Sequence, residues 1–124
     1  MPIKIIDMTV RDIHFPISQT RAGSDVKIPD PDYSAAYMVL HTDHSRNLEG
    51  HCLTFTLGRG NELCVGGIKS LRHLIIGCTL ENITEDMGIF TRQICGDSQL
   101  QWVGPEKGVI HMAAGAITNA VWDL

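Results

Sequence analysis

The feature that most limits how this chain can fold is a change of period near Gly58. Up to Leu57 the stretches 6–10 and 51–57 carry apolar residues at every second position, and from Asn61 onward apolar residues recur at every third or fourth. A period of two belongs to strands and a period near 3.6 to helices. Because the two periods are segregated rather than interleaved, the chain is not a series of βαβ units. The expected fold is α+β, a three-stranded antiparallel β-meander followed by a helical bundle. With 124 residues, 44% of them apolar, it suits one domain over residues 1–124 and is too short for two.

In the first half, Ile6, Met8 and Val10 alternate with Asp7, Thr9 and Arg11. The parity then changes to Ile13 and Phe15, which predicts a bulge or bend near Asp12. Pro16 closes this strand. Residues 17–34 contain Gly23, Asp25, Pro29, Asp30, Pro31 and Asp32 with little periodicity, and long ordered loops of this kind usually carry function. Ala35 to His41 is apolar on both faces. His51 to Leu57 alternates Leu53, Phe55 and Leu57 with Cys52, Thr54 and Thr56, behind a polar connection at 43–50.

In the second half, Asn61 is placed to cap a helix with the stripe Cys64, Ile68, Leu71 and Ile75, ending at Gly77. Asn82, with Glu85 three residues later, reads as the cap of a second helix with the stripe Ile83, Met87, Phe90 and Ile94 and a stop at Gly96. Gly104-Pro105-Glu106 reads as the start of a third, with the stripe Val109, Ala113, Ala116, Ala120 and Leu124. That stripe is still running at Trp122-Asp123-Leu124, with no closing Gly or Asn, so the sequence reads as the N-terminal part of a longer protein. The competing reading is a last turn that frays or packs in an oligomer.

Ten basic residues stand against fourteen acidic ones, for a net charge of −4, and they are scattered singly. No basic stripe is available for phosphates, so nucleic acid is not an expected partner. No apolar run approaches the ~20 residues that cross a bilayer, and no signal-peptide core precedes the first strand, so a soluble intracellular chain without a membrane partner is expected. Cys52, Cys64, Cys78 and Cys95 contain no CxxC pair, and free thiols acting as small hydrophobes are the better reading than two disulfides. Asn82-Ile83-Thr84 fits a glycosylation sequon but is read as a helix start.

Few motifs carry chemistry. Gly58-Arg59-Gly60 lacks the third glycine of a dinucleotide fingerprint and reads as a tight strand-to-helix turn. His41, Asp43 and His44 fall on a strand end and hairpin, where side-chain directions diverge, so no metal site is expected. His111 reads as a satisfied core or interface histidine, and no Ser-His-Asp arrangement can be argued from spacing. Three polar segments without periodic duty remain, 22–33, 54–60 and 97–107, the last centred on Trp102.

Three stretches are more specific. Pro29-Asp30-Pro31-Asp32-Tyr33-Ser34-Ala35-Ala36-Tyr37, Thr54-Phe55-Thr56-Leu57-Gly58-Arg59-Gly60-Asn61, and the segment from Gln99 to Gly108 closely resemble the N-terminal domain of the L-fuconate dehydratase family within the enolase superfamily. The resemblance runs in order through Asn119 to Leu124. It implies an enolase N-terminal-like capping domain that closes over a C-terminal (β/α)-barrel. In the family a barrel base removes the proton α to a sugar-acid carboxylate, Mg²⁺ stabilises the enediolate, and loss of the β-hydroxyl gives a 2-keto-3-deoxy acid.

The resemblance also implies that Gly23, Ser24, Asp25 and Tyr33 are substrate contacts and that Thr54, Phe55 and Trp102 line the pocket. No catalytic residue and no metal ligand falls within this sequence, because the family places both on the barrel. The implied partners are an acid sugar, the barrel and, through the unfinished third helix, a second copy of the chain. The implied compartment is cytoplasmic, or mitochondrial if the source is an animal. Two other readings stay open, a stand-alone binding or interaction domain without catalysis, and the cap of a dehydratase for another acid sugar such as galactonate or arabinonate.

Overall fold

The computed structural model describes residues 2–15, 33–97, 100 and 108–124. Three strands, β1 (Ile5–His14), β2 (Ser34–Thr42) and β3 (Glu49–Thr56), form an antiparallel sheet in the order β1-β2-β3. Five helices follow, α1 (Asn61–Ser70), α2 (Arg72–Ile75), α3 (Leu80–Glu85), α4 (Met87–Cys95) and α5 (Val109–Asp123). The meander and the helical second half are therefore present in the expected order. Among the described residues the helices lie on one face of the sheet, with α5 along β3 and against α1.

Alternation sets the period of a strand but not which half faces the core. On β3 the apolar half faces away from the helices: Leu53, Phe55 and Leu57 are 45%, 60% and 38% exposed. The pairings Met38↔Cys52, Ala36↔Thr54 and Ser34↔Thr56 put the polar half on the side of the buried residues Ala36 and Met38. Central β2 is covered on both faces at Ala35 and Ala36, as its two-sided apolar pattern requires.

The bend expected near Asp12 is not there. Pairing with β2 runs unbroken from Asp7↔His41 to His14↔Ser34, and the register shifts between Ile5 and Asp7 instead. The cause lies at the strand's start. Ile5 exchanges hydrogen bonds with the 77–78 turn, its N–H to the Cys78 carbonyl (2.9 Å) and its carbonyl to the Gly77 N–H (2.8 Å). Ile5 is thereby drawn into the core and Ile6 turned out to 49% exposure. Asp12 keeps regular strand geometry because its carboxylate has partners on the helix side, and Ile13 and Phe15 belong to the opposite face.

The helical stripes fall as expected: Cys64, Ile68, Leu71, Ile75, Ile83, Phe90 and Ile94 are all buried. The caps differ. The α1 cap is Gly60, at φ 90°, with Asn61 already inside the helix. Leu71 separates α1 from α2, and Gly77, at φ 91°, follows as a stop. Thr79 caps α3 in place of Asn82, its side chain accepting the Asn82 N–H at 3.2 Å. The single helix expected from 82 to 96 breaks at Asp86, which caps α4 by accepting the Ile89 N–H at 3.1 Å, and Gly96 ends it. A cap with an extended backbone cannot continue the preceding turn, so the two halves separate.

Gly108 is extended, so α5 begins at Val109, and residues 104–106 lie outside the described residues. The buried face of α5 is wider than the expected stripe, adding Ile110, Ala114, Ile117 and Val121 to Ala113, Ala116 and Ala120. Burying each of the three large side chains stabilises by about 1.5–3 kcal/mol. His111 is exposed rather than in the core, one position beyond that face.

All four cysteines are free, with Cys64 buried. Burial, with a smaller effect of the Glu62 charge, pushes the Cys64 thiol up, and burial does the same for Cys95. Only the thiolate exchanges with disulfides. In the native state, an aromatic disulfide reagent should modify Cys64 at least about tenfold more slowly than Cys52. Equal rates for all four thiols would mean that α1 opens as readily as the surface.

Candidate functional site

The candidate residues that fall within the described structure gather where β1 ends, β2 begins and β3 ends. Phe15, Tyr33, Ala35, Leu53, Phe55 and Leu57 line an open groove of about 750 Å³ on the sheet face without helices. Tyr33 is fixed there by its backbone, whose carbonyl accepts the Phe15 N–H at 2.8 Å. Phe55 stands in the groove because β3 presents it on the uncovered face. Thr54 points to the helix side, opposite Phe55, so it does not join that groove. Gly23, Ser24, Asp25 and Trp102 lie outside the described residues.

The same sheet face changes character toward its other end. Thr9 Oγ1 bonds to His41 Nε2 (3.1 Å), Glu49 lies 3.4 Å from His41 Nδ1 and 3.1 Å from His51 Nε2, and Tyr37 hydroxyl bonds to His51 Nδ1 (2.5 Å). His44 is separate from these groups, its Nδ1 accepting the Arg46 N–H at 3.2 Å. One half of the face is thus a string of polar contacts and the other an apolar groove. Also outside the groove, the Arg72 guanidinium donates to Asp7 at 2.8 Å and holds that carboxyl below its usual range, helped by the Met8 N–H.

Adjoining the groove, whose lining also includes Ser34 and Thr56, lies a cluster that spacing did not reveal. Asp12 Oδ1 takes His14 Nε2 at 2.8 Å, and His14 Nδ1 bonds to Ser34 Oγ at 2.6 Å. Aspartate, histidine and serine are therefore linked in line, but Ser34 is 1% exposed, and a nucleophile must be open to its substrate. The cluster is suited to holding strand ends together. Its sequence signal was the presence of polar residues, Asp12 and Thr56, at helix-facing positions of strands. No buried side-chain polar atom among the described residues lacks a hydrogen-bond partner.

No protein-family model matches the chain. Mitochondrial enolase superfamily member 1 of Xenopus laevis is 48% identical over 121 residues, which is 98% of this chain and 27% of that protein. L-galactonate dehydratase of Hypocrea jecorina is 45% identical over 122 residues, again 98% of this chain and 27% of the relative. The chain thus spans about a quarter of the length of the curated relatives it matches. The crystal structure of human mitochondrial enolase superfamily member 1 superposes with a TM-score of 0.95 at 46% identity, over 99% of this chain and 28% of that one. A bacterial L-talarate dehydratase from Polaromonas, complexed with Mg and L-glucarate, shares the fold alone, with a TM-score of 0.69 at 16% identity. No helix among the described residues is long and apolar enough to cross a membrane. By sequence and by fold, the chain is a homologue of the N-terminal part of mitochondrial enolase superfamily member 1 and carries the N-terminal domain fold of the enolase superfamily.

Proposed function

We propose that this chain is the substrate-covering N-terminal portion of an acid-sugar dehydratase, converting L-fuconate to 2-keto-3-deoxy-L-fuconate and water. The observation that carries the reading is the apolar groove that the described helices leave open at the sheet end. Tyr33 and Phe55 both line it, in a chain of which 98% aligns with an L-galactonate dehydratase. An apolar wall of this kind excludes water from a reacting centre, and the Tyr33 phenol can donate to or accept from a sugar hydroxyl. Gly23, Ser24 and Asp25 are proposed to complete the cover, with Trp102 bracing it.

The rest of the chemistry is assigned to a C-terminal barrel as partner, with magnesium as its cofactor. Among the described residues no group of three or more His, Cys, Asp or Glu side chains could hold a metal ion, so these residues do not fit that cation. The compartment proposed is intracellular, cytoplasmic or mitochondrial. The test is a full-length enzyme, in which this chain is joined to the barrel of its own reading frame or of the Xenopus relative. It is assayed with magnesium against L-fuconate, L-galactonate and L-arabinonate. Turnover of L-fuconate above the other two is expected. Preference for L-galactonate, which the fungal relative's name favours, would move the substrate and keep the class. Turnover of none would refute the reading.

The groove also bears on the chain by itself. Exposed apolar patches drive association, and Phe55 is 60% exposed at the centre of this one. The 124-residue chain is expected to self-associate in sedimentation runs at rising concentration, and Phe55→Ser to shift it toward monomer without lowering Tm. A wild-type chain that is monomeric throughout would rule this surface out as sticky.

A further inference from the structure

Asn61 occupies the first position of α1 and is fully buried, yet it leaves the capping of that helix to Gly60. Its amide serves as a bridge. Nδ2 donates to Asp12 Oδ1 at 2.5 Å, and Oδ1 accepts from Thr56 Oγ1 at 3.2 Å. Thr56 Oγ1 in turn accepts the Gly58 N–H at 3.3 Å. On the far side, the same Asp12 oxygen takes His14 Nε2, and His14 reaches Ser34. The resulting chain runs from the turn after β3 to the first residue of β2 and touches the ends of all three strands. Phe15 and Tyr33, whose backbones bond to each other, are the residues next beyond His14 and Ser34.

The turn needs an outside anchor. Gly58 and Gly60 sit at φ 118° and 90°, conformations that glycine adopts freely but that give the turn no side chain to hold it. Asn61 supplies the hold because an amide both donates and accepts, whereas a carboxylate only accepts and an aliphatic group does neither. We propose that Asn61 is a positioning residue, which fixes the turn after β3 against the strand ends carrying Phe15 and Tyr33 so that the covering surface keeps one geometry. This role rests on the substrate-covering reading above.

Steady-state kinetics of the full-length enzyme with L-fuconate, together with Tm, test it. Asn61→Asp removes the donor and sets a second carboxylate against Asp12. It is expected to raise KM about tenfold with a smaller change in kcat. The exchanged pair, Asp12→Asn with Asn61→Asp, regains the bond between positions 12 and 61. The amide moved to position 12 donates to the carboxylate moved to position 61 and Thr56 donates as before, but the His14 link is lost, because one Asp12 oxygen took both Asn61 and His14 and an amide nitrogen in its place cannot accept. KM should fall back at least about threefold from the Asn61→Asp value toward wild type. Thr56→Val cuts the same chain one link away and should raise KM in the same direction, which carries the comparison if Asn61→Asp does not fold. Asp25→Ala and Tyr33→Phe report on the covering role itself. If either lowers kcat/KM while Asn61→Asp and Thr56→Val leave KM unchanged, the positioning role is overturned and the covering role stands. If none of them changes kcat/KM, both fall. A KM in the exchanged pair as high as in Asn61→Asp alone also overturns the positioning role, since the restored bond between positions 12 and 61 must restore part of the geometry.

Discussion

Gly50→Ala is expected to cost about 3 kcal/mol, the upper end for overpacking by one carbon, and to lower Tm by roughly 10 °C. Gly50 is buried near the start of β3 on the helix-facing side, paired with Leu40, and the last turn of α5 lies directly on it. A Cβ built there falls 2.1 Å from the Ala120 carbonyl oxygen and 2.8 Å from Leu124 Cγ. The leucine can rotate away, but the carbonyl belongs to the helix backbone and moves only if α5 moves. Lifting α5 loosens Ile117, Ala120 and Val121 from the core and pulls Asp123 from the His51 N–H that it accepts at 2.8 Å. Gly115 supplies the control, since a Cβ there meets nothing within 4 Å. Gly115→Ala should be neutral or gain up to about 1 kcal/mol of helix propensity. Urea unfolding of both variants checks the pair, and equal midpoints would show that α5 does not rest on β3.

What could be read along the chain was whatever depends on neighbours three or four residues apart. The stripes of α1 and α2 and of α3 and α4 were legible because each amphipathic helix must turn its apolar side to the same sheet, whatever the details of its caps. The caps were not. Asn61 and Asn82 are both good cap types, but tertiary bonding claimed Asn61 for Asp12 and Thr56, and Thr79 offered its hydroxyl one turn earlier than Asn82. The glycine turn at 58–60 was legible because positive φ is needed wherever a strand bends sharply into a helix, and few residues other than glycine accept it.

The strand faces show where local reasoning stops. Leu53, Phe55 and Leu57 look like a core-facing set, and by composition they outrank Cys52, Thr54 and Thr56 for burial. The helices nevertheless cover the other face, because Gly50 allows α5 to approach there and Thr56 is held by Asn61. An exposed apolar half on an otherwise satisfied sheet is a surface kept for something else. The Asp12, His14, Ser34, Asn61 cluster was hidden for a related reason: Asp12 and Asn61 are 49 positions apart and meet only when β1 and α1 pack. The resemblance to the N-terminal part of enolase-superfamily proteins, in contrast, was carried by long motifs that periodicity does not explain, and the relatives bear it out at 45% to 48% identity.

Asp25→Ala in the full-length enzyme is expected to lower kcat/KM for L-fuconate by roughly one to two orders of magnitude while leaving Tm unchanged. The proposed role of Asp25 is to accept hydrogen bonds from the hydroxyls of the sugar acid. A hydrogen bond to a charged group contributes about 1.5–3 kcal/mol, and its loss appears as that factor in kcat/KM. Tyr33→Phe should do less, because the ring that lines the groove with Phe55 remains and only the hydroxyl goes. If Asp25 instead only caps a turn within its segment, the pattern reverses, with Tm falling by a few degrees and turnover nearly normal. The two roles therefore differ in sign on two quantities measured on one purified variant. A normal kcat/KM with a lowered Tm would remove Asp25 from the covering surface and leave Tyr33 and Phe55 as its candidates, with Asn61 behind them as the residue that sets their geometry.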